Sequence, residues 1–557
     1  MNNFIREGEK LSSQILSENG ALKYSTSNST FIDDFCSLSK YREPRSYEDV
    51  SNTMEKLWAI SPKLCVKLAL YVRLITRGKV VIEGTNEIIT DTQKGQGLKN
   101  EGILRFMWLA QNHLSTFKAN IHLFIAAGSW KDIFIMLEKD LENNGWNNKK
   151  LPWNFIFKVI ESGLSNPETS SLVCKYLPTI RCKSHWKTDH VKNYSIIGKW
   201  LMNRFFKSKN SVVKLSNYRT LKSGGDAHKW QQMISKQLYN SIDFNSIAGR
   251  ALMLIANSKL LVNHDLVNKY CSWLDENLTV KFTGYVHELF RTIDSDIEHD
   301  KFPRYKRDTI NKQFLRFVEE SKKNTETNTS LLVVRDISGS MTGISSRAGM
   351  SAYDISKALA LYFSYFLSGH FQDSYAIFSN ECKLKHWEGK TPVDRWISEE
   401  RSDFGSTNFL EVAKLFVSIL SKGVPEKDFP TGILAISDGE FDRDDGWCDS
   451  PTLNKSSFDL FRQILIDGGF SKEYVNNFKL ILWDIPNDFY RSSPETKFED
   501  FADSPNNYHI TGYDPSVVSF ILNGSKKIAA PKNNLELFNA AVDQDLLNKV
   551  KIYKDKI

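Results

Sequence analysis

The sequence predicts a multidomain chain, an all-α part followed by an α/β part built on a doubly wound, largely parallel sheet. Three observations carry this prediction. Apolar residues recur at helical spacing from about residue 47 to residue 320, a polar aperiodic stretch at 321–330 interrupts them, and short apolar runs then alternate with helical segments. At 557 residues the chain is also too long for one ordinary core.

Residues 1–45 mix turn formers with short apolar pieces and read as an arm. In 46–320, Trp58, Leu64, Val66, Leu68, Tyr71 and Leu74 fall on one helical period. So do Leu104, Phe106, Trp108, Leu109 and Leu114, and Phe134, Ile135, Leu137 and Leu141 after the turn Gly128-Ser129-Trp130. Breaks at Asn166-Pro167, Leu177-Pro178, Gly224-Gly225 and Asn263-His264 cut this region into short helices. Brief links between them, without an exact repeat, predict an α-solenoid of HEAT-like pairs. The linker is 321–330. In 331–530 strands are predicted at 331–334, 374–378, 433–437 and 478–483, with 382–387 as a hairpin partner. Helices are predicted at 353–367, 409–420 and 458–466. This is the alternation of a Rossmann-like doubly wound sheet, whose ligands bind at the carboxyl ends of the strands. The tail, 531–557, reads as one or two further helices.

Composition excludes some classes. Apolar residues make up 41% of the chain, and no apolar run approaches a membrane span, so no membrane partner is expected. The opening residues lack a signal-peptide h-region, and seven cysteines without a Cys-x-x-Cys pair point to reduced thiols in a cytoplasmic setting. Net charge is +7, unevenly spread: residues 1–324 hold 48 Lys and Arg against 33 Asp and Glu, and the remainder holds 25 against 33. A basic half joined to an acidic half points to a polyanion partner for the basic half, or to a solvated Lys-rich surface.

The richest motif follows the run Leu331-Leu332-Val333-Val334. Asp336, Ser338 and Ser340 stand at alternate positions as a strand opens into a loop. Thr407 sits in Gly405-Ser406-Thr407 ahead of a helix, and Asp438 in Ser437-Asp438-Gly439 ends a later strand. Two carboxylates and three hydroxyls form an all-oxygen donor set for a hard divalent cation, Mg²⁺ first, with room left for a partner's carboxylate. In order and spacing these five residues resemble the metal-ion-dependent adhesion site (MIDAS) of von Willebrand factor A (vWA) domains. That resemblance implies a vWA domain at 331–530 that grips an Asp or Glu of a protein partner. The acidic run Glu440, Asp442, Asp444 and Asp445 reads as a solvated loop, or as a second cation site.

A helical-repeat domain ahead of a vWA domain is the layout of the TROVE (telomerase, Ro, vault) family. Several stretches are similar to Ro-like members: Glu18-Asn19-Gly20-Ala21-Leu22-Lys23-Tyr24-Ser25, Arg73-Leu74-Ile75-Thr76-Arg77-Gly78-Lys79, Asn217-Tyr218-Arg219-Thr220-Leu221, Ser241-Ile242-Asp243-Phe244 and Ile481-Leu482-Trp483-Asp484. The resemblance implies helical repeats that hold structured RNA bearing a single-stranded end. Phosphate contacts need spread cations, and unpaired bases need aromatic faces. Arg181, Lys183, His185, Lys187, His190 and Lys192 surround Trp186 and meet both needs; Arg73, Arg77 and Lys79 form a second cluster. No nucleophile elbow, zinc triad or phosphate loop is present, so the expected function is a non-enzymatic RNA-binding scaffold, a ribonucleoprotein component whose metal site recruits a protein. The alternative is a protein-interaction or structural component, carried in a virus particle if virus-encoded.

Overall fold

Four apolar residues in a row, Leu331 to Val334, leave no polar face for water, so the strand they form must be covered on both sides. In the computed structural model that strand is β1 (Leu331–Asp336), and all six of its residues are buried. The structure describes residues 3–17, 19–37, 45–82, 87–145, 147–206, 214–224, 229–293, 302–322, 330–345, 349–367, 369–399, 405–442, 455–485, 497–523 and 529–554. Most of the expected linker, 323–329, lies outside them, as do Asp444 and Asp445.

Five further strands join β1: β2 (Ser374–Phe378), β3 (Cys382–His386), β4 (Gly432–Ser437), β5 (Lys479–Asp484) and β6 (Asn507–Thr511). Their order is β6-β5-β4-β1-β2-β3. All neighbours are parallel except β3, which runs antiparallel to β2. Four of the five β3 residues are exposed, and Lys383 and Lys385 place charge on that edge, which discourages pairing with another chain. Parallel register matches Val334 with Ala435 and Ala435 with Leu482, so the middle strands end at one edge.

Helices cover both faces. Ala352–Phe366, N-capped by Ser351, is buried along nearly its whole length. The reason is that helix Arg304–Lys322 packs over it, with Phe314 against Tyr365 (5.3 Å) and Phe317 against Tyr362 (5.7 Å). The opposite face is sealed by Leu410–Ser421 and Ser457–Asp467, where Phe409, Phe461 and Phe478 meet at 5.3 and 5.9 Å. The sixth strand is an addition to the expected set. Its residues Asn507, His509 and Thr511 disguise it as a loop; burial is made tolerable by side-chain bonds such as Tyr508 Oη to the Pro531 carbonyl (2.7 Å) and His509 Nε2 to Asp484 (3.1 Å).

The chain divides into two compact units, residues 1–44 with 248–543 and residues 45–247 with 544–557. This division crosses the segments drawn from periodicity. Helices between 248 and 322 belong with the sheet, tied in part by the Val393 amide donating to Asn311 Oδ1 (2.9 Å). The arm belongs there too, as helix Asn3–Ser12, a hairpin of Gln14–Leu16 with Leu22–Tyr24, and helix Thr30–Ser37. In the tail, helix Asn534–Val542 packs by Phe538 on Phe31, whereas Asp545–Asn548 meets Lys67 of the second unit (2.6 Å). An amphipathic period says that one helix face is covered, but not by which core.

The second unit is helical, as expected, apart from a hairpin of Val80–Ile82 with Glu87–Ile89. Its starts follow capping chemistry: a Ser46/Asp49 box opens Tyr47–Ile60, Ser61 caps Pro62–Arg73, and Asn166 caps Pro167–Tyr176. Lys99–Asn112 packs on Leu114–Ala127, and Trp153–Ser165 on Pro167–Tyr176, each as sequence neighbours.

One buried group couples the first unit to pH. His287 packs against the rings of Tyr285 and Tyr513, its Nδ1 without a hydrogen-bond partner among the described residues, and burial with nearby Arg291 and Arg250 lowers its pKa to about 3. Unfolded, the imidazole titrates near its ordinary 6.5, so the unfolded chain binds the extra proton between these values. Stability from this residue is therefore complete above that pH and falls by about 1.4 kcal/mol for each unit below it. His287→Phe should flatten this loss, read as urea midpoints at pH 7 and pH 5.5; equal losses in both proteins reject the assignment.

Candidate functional site

The edge where β1, β4 and β5 end gathers a set of buried polar groups. Asp336 is fully buried as the last residue of β1. Its Oδ1 accepts the Ser338 amide (2.8 Å) and its Oδ2 accepts the Ser437 hydroxyl (2.5 Å). Ser338 and Ser340 hydroxyls lie 3.1 Å apart, and Ser340 hydrogen-bonds Asp438 in turn. The loop carrying Thr407 is drawn in by the Gly339 amide donating to the Gly405 carbonyl (3.1 Å). Asp442 clamps Thr407 twice, accepting its amide on Oδ2 (2.7 Å) and donating its own amide to the Thr407 carbonyl (3.0 Å). The expected five residues thus come from three loops on one sheet edge, and all five are buried.

Electrostatics set this group apart from a set of caps. Burial, and then the nearby Asp438 charge, raise the Asp336 pKa, while hydrogen bonds from Ser437 and Ser338 offset part of the rise. Asp438 is raised by burial, and also by Glu440 and Asp484. Two adjacent buried carboxylates are costly, and a cation between them relieves the cost. Among the described residues no group of three or more His, Cys, Asp and Glu is arranged to hold a metal; the oxygens gathered here are two carboxylates and three hydroxyls. Such an all-oxygen set suits a hard divalent cation and offers no ligand that favours zinc or copper.

Behind Asp438 lies a charge network absent from the sequence expectation. Lys23, almost wholly buried, donates to the Gly439 carbonyl and pairs with Glu499 at 3.2 Å. Burial alone would lower its pKa, but Glu499, Glu440 and Asp484 outweigh burial and raise it. Lys497 pairs with Glu440 (3.4 Å), and His509 with Asp484 (3.1 Å). Gly439 has φ +75°, and a Cβ there would lie 3.4 Å from Lys23 Nζ, so glycine suits both its backbone and its neighbours. In its described part the acidic run is not a purely solvated loop: Glu440 is ion-paired with Lys497 and Asp442 holds Thr407.

The basic candidates divide sharply. Arg73 is a correction: it is buried, with Nη2 2.6 Å and Nε 2.8 Å from Asp132 Oδ2. Gly128 presses so closely on this pair that a Cβ would stand 2.2 Å from Asp132 Oδ2. Arg77 is a second correction: its guanidinium donates to the Ala127 and Gly128 carbonyls (3.1 and 2.9 Å), and burial followed by the neighbouring Arg73 lowers its pKa to about 10. Both arginines satisfy helix ends, which leaves Lys79 as the exposed member of that cluster. Arg181, Lys183, His185, Lys187, His190 and Lys192 are all exposed, around a half-buried Trp186. Lys199 lies 5.2 Å over the Trp186 ring, and His190 bonds Glu138. The exposed Cys182 thiol stands 2.6 Å from His185 Nδ1, and hydrogen bonds from Ser184 and His185 lower its pKa to about 7.

No protein-family model matches the chain, and no curated protein sequence matches it. Five chains among the solved structures do. One is the crystal structure of Deinococcus radiodurans Ro (RSR) protein, to which the chain is similar at 12% identity over 93% of its own length and 99% of that chain, with a TM-score of 0.43. Among the described residues no helix is long and apolar enough to cross a membrane.

Sequence reasoning missed Ser437, Lys23, Glu499 and His509 as parts of this site. Ser437 was legible, standing one residue before Asp438. The other three arrive from the arm and from beyond β5 with no local pattern to mark them. The sorting of the arginines has a direct test. Removing one partner of a buried ion pair strands the other, so Arg73→Ala should lower stability by about 3–5 kcal/mol. Loss of less than about 1 kcal/mol in a denaturant titration would return Arg73 to the surface candidates.

Proposed function

We propose that the chain is a non-enzymatic binding scaffold in which a MIDAS-like site of a vWA domain takes Mg²⁺ and docks a protein's Asp or Glu, while the basic surface at 181–192 takes RNA. The observation that supports it most is the convergence of Asp336, Ser338, Ser340 and Asp438 at one strand edge, with Thr407 clamped beside them. Asp336 and Asp438 would supply the charge, Ser338, Ser340 and Thr407 the neutral oxygens. The bound cation would present a Lewis-acidic position to a carboxylate. The protein's own part is to hold the hydroxyls fixed and to exclude other side chains from the edge. On this reading the helical pairs of 46–247 are HEAT-like and the chain is a Ro-like ribonucleoprotein component; Arg181, Lys183, Lys187 and Lys192 contact phosphates, and Trp186 stacks on a base.

The second reading is a protein-docking component without RNA. The inward turn of Arg73 and Arg77 favours it, because two expected phosphate contacts are spent on internal carboxylate and carbonyl groups.

Two measurements test the proposal, and the second separates the readings. Asp336→Ala should abolish an Mg²⁺-dependent rise in melting temperature that wild type shows; a wild type indifferent to Mg²⁺ rejects the metal site. Reversing Arg181, Lys183, Lys187 and Lys192 to Glu should weaken binding of structured RNA with a single-stranded tail. The slope of log affinity against log salt should become shallower by about 3. Absence of binding by wild type at modest salt leaves the second reading.

A further inference from the structure

The N-terminal arm grips the loop that carries the second carboxylate of the site, residue by residue. Lys23 Nζ donates to the Gly439 carbonyl, Asn19 Nδ2 to the Glu440 carbonyl (2.7 Å) and the Ser17 hydroxyl to the Phe441 carbonyl (2.8 Å). Gly20 forms an antiparallel bridge with Asp442. Four successive residues, 439–442, are thus held by four residues of one short segment 400 positions away in sequence. The segment is anchored in turn: Ser17 Oγ accepts the Ala21 amide (2.9 Å), Tyr24 exchanges backbone bonds with Phe498 (2.8 Å each way), and Ala21 joins the core around Phe409 and Phe441. Beyond the loop the chain of contact continues, because Asp442 binds Thr407 through both its amide and its carboxylate.

We infer that Ser17, Asn19, Gly20 and Lys23 of the arm are the positioning element of the metal site, setting the backbone at Asp438 from one side and Thr407 through Asp442. The inference rests on the metal reading above and deepens it. The physical case is that an ion with strict octahedral demands tolerates little play in its ligands. Thr407 and Asp438 sit on loops, the mobile class of element, and a loop is stiffened when its carbonyls are bound by an outside segment. Lys23 is the central contact. Its ammonium bonds the carbonyl directly after Asp438 while its charge is balanced by Glu499. Removing the ion pair from both ends at once therefore loosens the loop without leaving a stranded charge. Binding is reciprocal: whatever holds the loops for the ion is itself held when the ion is present.

The experiment uses the full chain as wild type, Asn19→Ala, and the double variant Lys23→Gln with Glu499→Gln. Amide hydrogen exchange is followed by mass spectrometry with and without Mg²⁺, alongside Mg²⁺ titration calorimetry. Metal-free, both variants should exchange faster at 405–409 and 438–442 while β1 and β4 stay protected. The Mg²⁺ dissociation constant should rise about fivefold in Asn19→Ala, as for one lost hydrogen bond, and about tenfold or more in the double variant. In wild type, Mg²⁺ should slow exchange across 19–23. Wild type that takes up no Mg²⁺ sinks the metal reading. Unchanged exchange at 405–409 and 438–442 in the metal-free variants sinks the arm's role whether or not metal binds, and general loss of protection across the sheet sinks it in favour of a purely structural contact.

Discussion

Parallel pairing of β1 with β4 is the constraint on which the candidate site depends. Parallel strands in register finish at the same edge, so Asp336 and the Ser437-Asp438-Gly439 turn emerge side by side, and the Ser437 hydroxyl reaches Asp336 directly. The pairing is possible because both strands are buried on both faces and read as unbroken apolar runs. Two carboxylates then lie together in a dry place. Water would have screened their repulsion; here burial, and then repulsion, raise the pKa values of both acids, and hydroxyls and amides offset only part of the rise.

The unit answers buried charge with buried countercharge wherever it has one to hand. Arg335, facing away from the site on β1, meets Glu399 and lies 5.0 Å from the Tyr353 ring. Glu499 has Lys23 and Glu440 has Lys497, while Asp484 shares a hydrogen bond with His509 (3.1 Å). Each pair joins elements distant in sequence, so charge balance also fixes topology: the arm cannot leave without stranding Glu499. Such pairs add little net stability over apolar substitutes, yet they tolerate no single deletion, which makes them devices for specificity of arrangement.

The same logic sorts the basic half. Arg73 and Arg77 lie at the end of helix Pro62–Arg73 and just beyond it, where Asp132 and the carbonyls closing Leu114–Ala127 need donors. A guanidinium with five donors suits that task. The segment 181–192 instead runs as an extended stretch, one 3₁₀ turn and the start of a helix, with its cations in water. A cationic surface of this kind makes salt-dependent contacts with polyanions, whereas a buried arginine does not.

The α/β alternation, four of the six strands and the hairpin partner β3 were legible in the sequence because they rest on local patterns. Apolar runs, capping residues and the Asp336-x-Ser338-x-Ser340 spacing are properties of neighbouring residues. The candidate ligands were legible for the same reason, since each stands at a strand end or ahead of a helix. What the sequence by itself determined, then, is which segments become strands and helices and which oxygens stand at their ends. Only the tertiary structure decided which core the helices after residue 247 join, that polar β6 completes the sheet, that Arg73 and Arg77 turn inward, and that Lys23 reaches Gly439. These are choices among partners distant along the chain, and they are made by burial and charge balance summed over the whole unit, which no local window contains.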